Sequence, residues 1–205
     1  MTLRERNRAR TRGDIEIAAL ELMEAQGYQA TTVEEIARRA GVSSATVFRY
    51  FPAKEDMLFA QEHSSAARMV AFVAERRDRS QTLRALAAPV TAFAGEILSE
   101  TGSQSHRLTR LVMTTPELAG RSMRMRLRWE NGIARQLAQE AGAEAPDLDQ
   151  VLVANLAVSC LAAALWQWQR GDSPTSIAGD TRRAFRGAAA LARPAPRKDP
   201  HHGDD

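Results

Sequence analysis

Apolar residues recur at helical spacing along most of the chain, and the pattern breaks at glycines, prolines and short polar runs. In residues 4–26 the apolar row is Ile15, Ala18, Ala19, Leu22 and Met23, and Gly27 stands where a helix commonly stops. A second helix starts at Thr32. Thr32-Val33-Glu34-Glu35 has the form of a capping box: the hydroxyl accepts from the amide of residue 35, and Glu35 reaches back to the amide of Thr32. Val33, Ile36, Ala37 and Ala40 make its apolar side, and Gly41 ends it. Ser43 or Ser44 caps a third helix whose buried side is read as Val47, Phe48 and Phe51. Pro52 closes it, because the residue before a proline avoids the helical region. Lys54-Glu55-Asp56 opens a fourth helix, expected to run to about residue 75.

The remainder reads as longer helices with short breaks. Residues 83–100 form one, with Pro89 as a kink or an early-turn feature. Residues 102–105 are a loop, and 106–114 a short helix stopped before Pro116. Residues 117–141 carry Met125, Trp129, Ile133 and Leu137 in a row four apart. A loop at 142–146 precedes a strongly apolar helix at 147–170; a turn at 171–174 precedes the last helix at 175–192. The tail from Arg193, with Pro194, Pro196, Pro200 and the pair His201-His202, reads as disordered. These elements define an all-α chain of about nine helices: a reader head at residues 1–56, a larger helical bundle at 57–193 and a tail at 194–205.

Composition narrows this picture. At 44% hydrophobic the chain of 205 residues can bury a sizeable core. One cysteine, Cys160, excludes an internal disulfide and a cysteine-based zinc site, and reads as a small buried hydrophobe. The arginine-rich start has no apolar stretch of a signal peptide behind it, and with a single cysteine the expected location is the reducing cytoplasm. Residues 151–169 approach a membrane-spanning length, but Asn155, Ser159, Gln167 and Gln169 interrupt them. A helix buried in a bundle or at a subunit interface is the expectation, with no membrane. The net charge of +3 is unevenly placed. Arg4, Arg6, Arg8, Arg10 and Arg12 form one basic segment and Arg38, Arg39, Arg49 and Lys54 another; Asp14, Glu16, Glu21, Glu24, Glu34 and Glu35 lie between them. Phosphate backbones suit such a pattern, as does a plain solvated surface.

Residues 32–51 carry the function. Two short capped helices joined by Gly41-Val42-Ser43 make a helix-turn-helix, whose second helix offers its residues to base edges in the major groove. Ile36, Ala37, Val42 and Val47 can fix the angle between the helices. Ser43, Ser44, Ala45 and Thr46 are small enough for close approach, Arg49 and Tyr50 are long donors, and Lys54 follows. The ends at Thr32 and Lys54 offer free amides to phosphates. Thr32, Ser43 and Ser44 also have a purely capping reading, and Tyr50 a packing one. TTVEEIARRAGVSSATVFRYFPAKEDML resembles the DNA-binding module of the tetracycline-repressor (TetR) family over about residues 12–58, except that Ala53 stands where the family often has a small polar residue. The resemblance implies DNA contacts from Thr32, Ser43, Ser44, Thr46, Arg49, Tyr50 and Lys54. It also implies an effector-binding C-terminal domain and a homodimer built on the helices at 147–170 and 175–192, set on a pseudo-palindromic double-stranded operator.

RLTRLVMTTPELAGRSMRMRLRWENGIARQLAQEAG is similar to an actinobacterial TetR branch that includes mycofactocin-system regulators and is associated with acyl-CoA-like ligands; Thr115-Pro116 and Trp129-Glu130 are the shared elements. This implies an elongated apolar pocket lined by Phe93, Ile97, Leu111, Met113, Met125, Trp129, Asn155, Ser159 and Trp166, although for each one taken singly ordinary core is the stronger reading. The run Arg121, Arg124, Arg126, Arg128 either meets a ligand phosphate or is a solvated helix side. Catalytic, cofactor-binding and metal motifs are absent from the sequence, and His63, His106, His201 and His202 sit in exposed contexts, so an enzyme is not expected. The expected function is a repressor released by a small apolar ligand. The alternatives are a regulator of another ligand class, such as drugs, or an architectural DNA-binding protein without an effector.

Overall fold

The computed structural model describes residues 2–60, 62–99, 103–170 and 176–191, and side chains are defined there except at 62, 63, 97–99 and 103. The reading of 193–205 as a tail, the turn at 171–174 and the side chain of Ile97 lie outside them. The described residues form nine α-helices and two 3-10 turns, without a strand. In chain order they are α1 (Leu3–Gln26), α2 (Val33–Arg39), α3 (Ser44–Tyr50), a 3-10 turn (Lys54–Met57), α4 (Glu62–Ala74), α5 (Leu83–Ser99), α6 (Ser103–Thr114), a second 3-10 turn (Pro116–Leu118), α7 (Ala119–Glu140), α8 (Leu148–Arg170) and α9 (Ile177–Leu191).

Two apolar cores organise the helices. The first gathers Ile15, Ala18, Ala19 and Met23 of α1 with Ile36, Val47, Phe51 and Met57–Phe59. It is not closed by the N-terminal residues alone: Leu111 of α6 and Leu118 of the second 3-10 turn also sit in it. The second core lies among α4, α5, α7, α8 and α9. At its centre Phe93 meets Phe72 edge-on at 6.2 Å and Trp129 at 5.7 Å. The Trp129 indole N–H donates to Ser65 Oγ at 3.2 Å, which satisfies its one donor inside the core. The predicted row Met125, Trp129, Ile133, Leu137 runs down the inner side of α7; the last three are buried and Met125 packs against both cores.

Three stretches differ from the sequence reading. The expected helix from Lys54 to about residue 75 is two pieces, the 3-10 turn and α4, with Met57, Leu58 and Phe59 all buried at and after the turn. Residues 103–105, read as loop, begin α6. Residues 116–118 form a 3-10 turn that drops Leu118 into the first core before α7 starts at Ala119. Pro89 stands inside α5 rather than in its first turn, with no amide to give the carbonyl of Ala85.

Candidate nucleic-acid interface and effector core

The helix-turn-helix is built from local hydrogen bonds. The Thr32 hydroxyl accepts from Glu35 N at 3.2 Å, and the amide of Thr32 donates to Glu35 Oε2 at 3.0 Å. The Thr32 amide, the Thr32 hydroxyl at 3.0 Å and Gln26 all donate to the Glu35 carboxylate and hold it below its ordinary value. Gly41 turns the chain at φ 68°, a left-handed conformation open to glycine, and the amide of Val42 closes the turn on Ala37 O at 3.0 Å. Ser43 then accepts from Thr46 N at 3.2 Å and lies 3.0 Å from the Thr46 hydroxyl. Val47 and Phe51 anchor α3 in the first core.

That anchoring decides which side of α3 is presented. Ser43, Ser44, Thr46, Arg49 and Tyr50 lie together on this cap and helix, and Arg49 is exposed with its guanidinium 5.6 Å from the Tyr50 ring. Phe48 corrects the expectation of a buried ring: it is 50% exposed. Val47 and Phe51 are one turn apart and fix the inward side, so Phe48 is rotated about 100° away from it. With exposed Ala45 and Arg49 it forms one outward face at three- and four-residue spacing. The spacing itself carried that signal. Lys54 is placed differently from the rest. Its ammonium donates to the carbonyls of Tyr28 at 2.6 Å and Thr31 at 2.9 Å and lies 4.2 Å from the centre of the Tyr28 ring. Burial, with a hydrogen bond to Glu55, pushes the Tyr28 phenol up to about 12. Ala53 makes no side-chain cap, and Asp56 accepts from its amide instead at 2.9 Å.

The residues expected to line a pocket separate into groups. Phe93 and Trp129 meet edge-on at the centre of the second core, and Met125 lies one turn before Trp129. Ser159 is half-buried and accepts from Arg126 at 2.8 Å; Arg126 also pairs with the buried carboxylate of Glu130 at 2.7 Å. Leu111 belongs to the first core. Met113, Asn155 and Trp166 are exposed, so they do not face the interior beside Phe93 and Trp129. Trp166 stacks under Arg170 at 4.5 Å. Burial pushes the Cys160 thiol up, as suits an inert core group.

The two cores are tied together. Arg121 of α7 donates to Asp56 at 2.5 Å and lies 5.3 Å from the Phe59 ring centre. Arg107 of α6 donates to Glu24 of α1 at 2.7 Å, and Gln29 bonds Glu117. In the basic run, therefore, Arg121 and Arg126 have partners inside the protein.

A short capped helix displayed by a tight glycine turn, and bolted to a helical bundle with its own core, is the architecture of a one-component DNA-binding regulator. Residues 17–60 match the bacterial regulatory proteins of the tetR family, and residues 80–192 match the MftR C-terminal domain. The chain belongs to the TetR family of transcriptional regulators, in the group carrying that C-terminal domain. It is 31% identical over 168 residues to the protein of Mycobacterium tuberculosis assigned as the mycofactocin biosynthesis transcriptional regulator MftR, covering 82% of this chain and 84% of that one. The fold is shared with the transcriptional regulator FadR of Bacillus subtilis in complex with stearoyl-CoA, at a TM-score of 0.60 and 21% identity over 84% of this chain and 95% of that one. It is shared too with the TetR-family repressor FadR of Thermus thermophilus in complex with lauroyl-CoA, at a TM-score of 0.54 and 20% identity over 93% and 99%.

Proposed function

We propose that this regulator is a cytoplasmic repressor that binds a pseudo-palindromic operator as a homodimer and leaves it when an apolar ligand of the acyl-CoA or fatty-acid type enters the second core. Residues 1–56 are the reader head and 57–193 the effector and dimerisation domain. The observation that carries the DNA part is the face of α3: Ala45, Phe48 and Arg49 point out while Val47 and Phe51 hold the helix from behind. Ser43, Ser44, Thr46 and Tyr50 flank that face, and Thr32 marks the start of α2. Lys54 serves as the strut that holds the first 3-10 turn on the carbonyls of Tyr28 and Thr31.

The ligand part rests on the aromatic centre and on the two acyl-CoA complexes of the fold's relatives. A chain entering between α4, α5 and α7 displaces the Trp129 ring from Phe93. The resulting shift of α7 reaches the reader head through Met125 and through the Arg121–Asp56 pair. The two sites are then coupled reciprocally, each ligand weakening the other. The chain acts by binding and carries out no reaction of its own.

The test is a gel shift with DNA from the chain's own upstream region, with and without stearoyl-CoA. A complex released by the ligand supports both parts. A complex that persists removes the ligand class and leaves the filled core to an effectorless DNA-binding role or a different ligand. In the same assay Arg49→Ala is expected to lose the specific footprint while sedimentation still reports the wild-type assembly; a retained footprint overturns the assignment of α3.

A further inference from the structure

A defined surface hollow lies on the reader head. It is a groove of about 510 Å³ between the first turns of α1 and the end of α3, lined by Arg4, Asn7, Arg8, Thr11, Arg49 and Tyr50. Its position follows from helical phase. The inward stripe of α1 runs through Ile15, Ala18, Ala19 and Met23 into the first core. Followed back toward the N-terminus at the same spacing, that stripe continues through Thr11, Arg8 and Arg4. There α1 overhangs the core, and the stripe carries guanidinium groups in place of apolar side chains.

These cations differ from their neighbour. Arg12 is used within the protein: it pairs with Glu16 at 3.0 Å and lies 4.9 Å from the Phe51 ring centre. Arg4, Arg8 and Arg49 have no carboxylate partner among the described residues. Arg8 and Arg49 lie 6.0 and 5.6 Å from the centre of the same Tyr50 ring. Three unpaired guanidinium groups converging on one groove repel one another, and that repulsion is relieved by an anion.

We infer that this groove seats a backbone phosphate of the operator, with Arg4 and Arg8 of α1 contributing contacts independent of base sequence beside the reading face of α3. The inference rests on α3 being the reading helix. It makes α1 a second DNA-contacting element that sets register along the backbone, whereas α3 reads bases.

The experiment measures binding of the full chain to an operator duplex and to an unrelated duplex at several salt concentrations. Each phosphate neutralised contributes about 0.9 to the slope of log K against log salt. The double variant Arg4→Ala/Arg8→Ala is expected to make that slope shallower by about 0.9 per bound protomer, the share of the one phosphate seated in the groove. The ratio of operator to unrelated affinity stays at its wild-type value, and Arg4→Lys/Arg8→Lys restores the slope. Both side chains are exposed and have no carboxylate partner among the described residues, so the thermal melt by circular dichroism is expected to move little. A wild-type slope in the alanine variant overturns the inference, and so does a lost operator preference with an unchanged slope. A wild-type chain that binds neither duplex overturns the operator reading itself and is distinguished from both.

Discussion

Phe48 is the side chain whose role depends most on a rotation of one residue. Its ring is half exposed on the face that also carries Ala45 and Arg49. In a major groove an exposed phenyl beside an alanine has one natural partner, the 5-methyl group of thymine. Removing that methyl by replacing operator thymines with deoxyuridine is expected to weaken the wild type by about 1 kcal/mol, roughly fivefold, per contacted base. Phe48→Ala is expected to lose the same amount on the thymine operator and to be indifferent to deoxyuridine; gel-shift titration of the four combinations checks it. An equal loss in both proteins would place Phe48 away from the methyl. The sequence misread this residue for a physical reason. Apolar character marks the core in a long amphipathic helix, but α3 has only seven residues, and a DNA-reading face uses apolar groups too. The capping box at Thr32 and Glu35 was legible because every bond in it lies within three residues. Lys54 was not: its partners at Tyr28 and Thr31 precede it by more than twenty residues, so a cation expected at phosphate turns inward to carbonyls.

Between elements, the pair Arg76 and Glu140 shows how helices are locked end to end. Arg76 follows α4, and its side chain is 1% exposed. Its two terminal nitrogens reach the two oxygens of Glu140, the last residue of α7, at 2.9 and 2.7 Å. Burial alone would raise the Glu140 carboxyl, but Arg76, with Gln136 and Arg79, outweighs it and holds the group below its ordinary 4.5. Glu140→Ala leaves a buried guanidinium without its counter-ion and is expected to cost about 3 kcal/mol in urea unfolding. The pH dependence has a definite sign. With the folded carboxyl lowered, the unfolded chain binds more protons in acid, so stability rises with pH there. The pair's contribution is fully present above 4.5 and is lost as pH falls through the lowered folded value. Glu140→Gln is expected to flatten that acid limb. No sequence pattern announced this pair, because its members are 64 residues apart. What the pattern did give was the apolar row of the long helix α7. It failed at boundaries where tertiary burial overrode local periodicity, as at Met57–Phe59.

For the molecule as a whole the open question is what covers α8. Leu148–Arg170 is long and apolar enough to cross a membrane by length and composition, yet its apolar residues divide into two sides. Ala154, Ala157, Val158, Leu161 and Ala164 pack into the second core. Leu148, Val151, Leu152, Leu156 and Trp166 stand exposed, with Asn155 among them. A one-sided stripe on a helix whose other side is already buried in protein suits a second copy of the chain better than lipid, which would surround it. Homodimers are typical of the family, and the exposed stripe of α8 is the surface proposed to meet its counterpart across a two-fold axis. Leu152 and Leu156 are the test positions, being 51% and 41% exposed and so dispensable to the monomer's own core. Replacing both by glutamate removes four leucines from the paired interface, each worth about 1 kcal/mol, and sets carboxylates against each other. The dimer dissociation constant is then expected to rise by roughly three orders of magnitude. Sedimentation at micromolar concentration should report a monomer, and circular dichroism an unchanged helix content. The operator footprint should vanish with it, since two half-sites about 34–36 Å apart are read together only by a linked pair of α3 helices. A dimer that survives the substitution moves the interface off this stripe, whereas a monomer that still protects the full operator overturns the symmetric reading of the site.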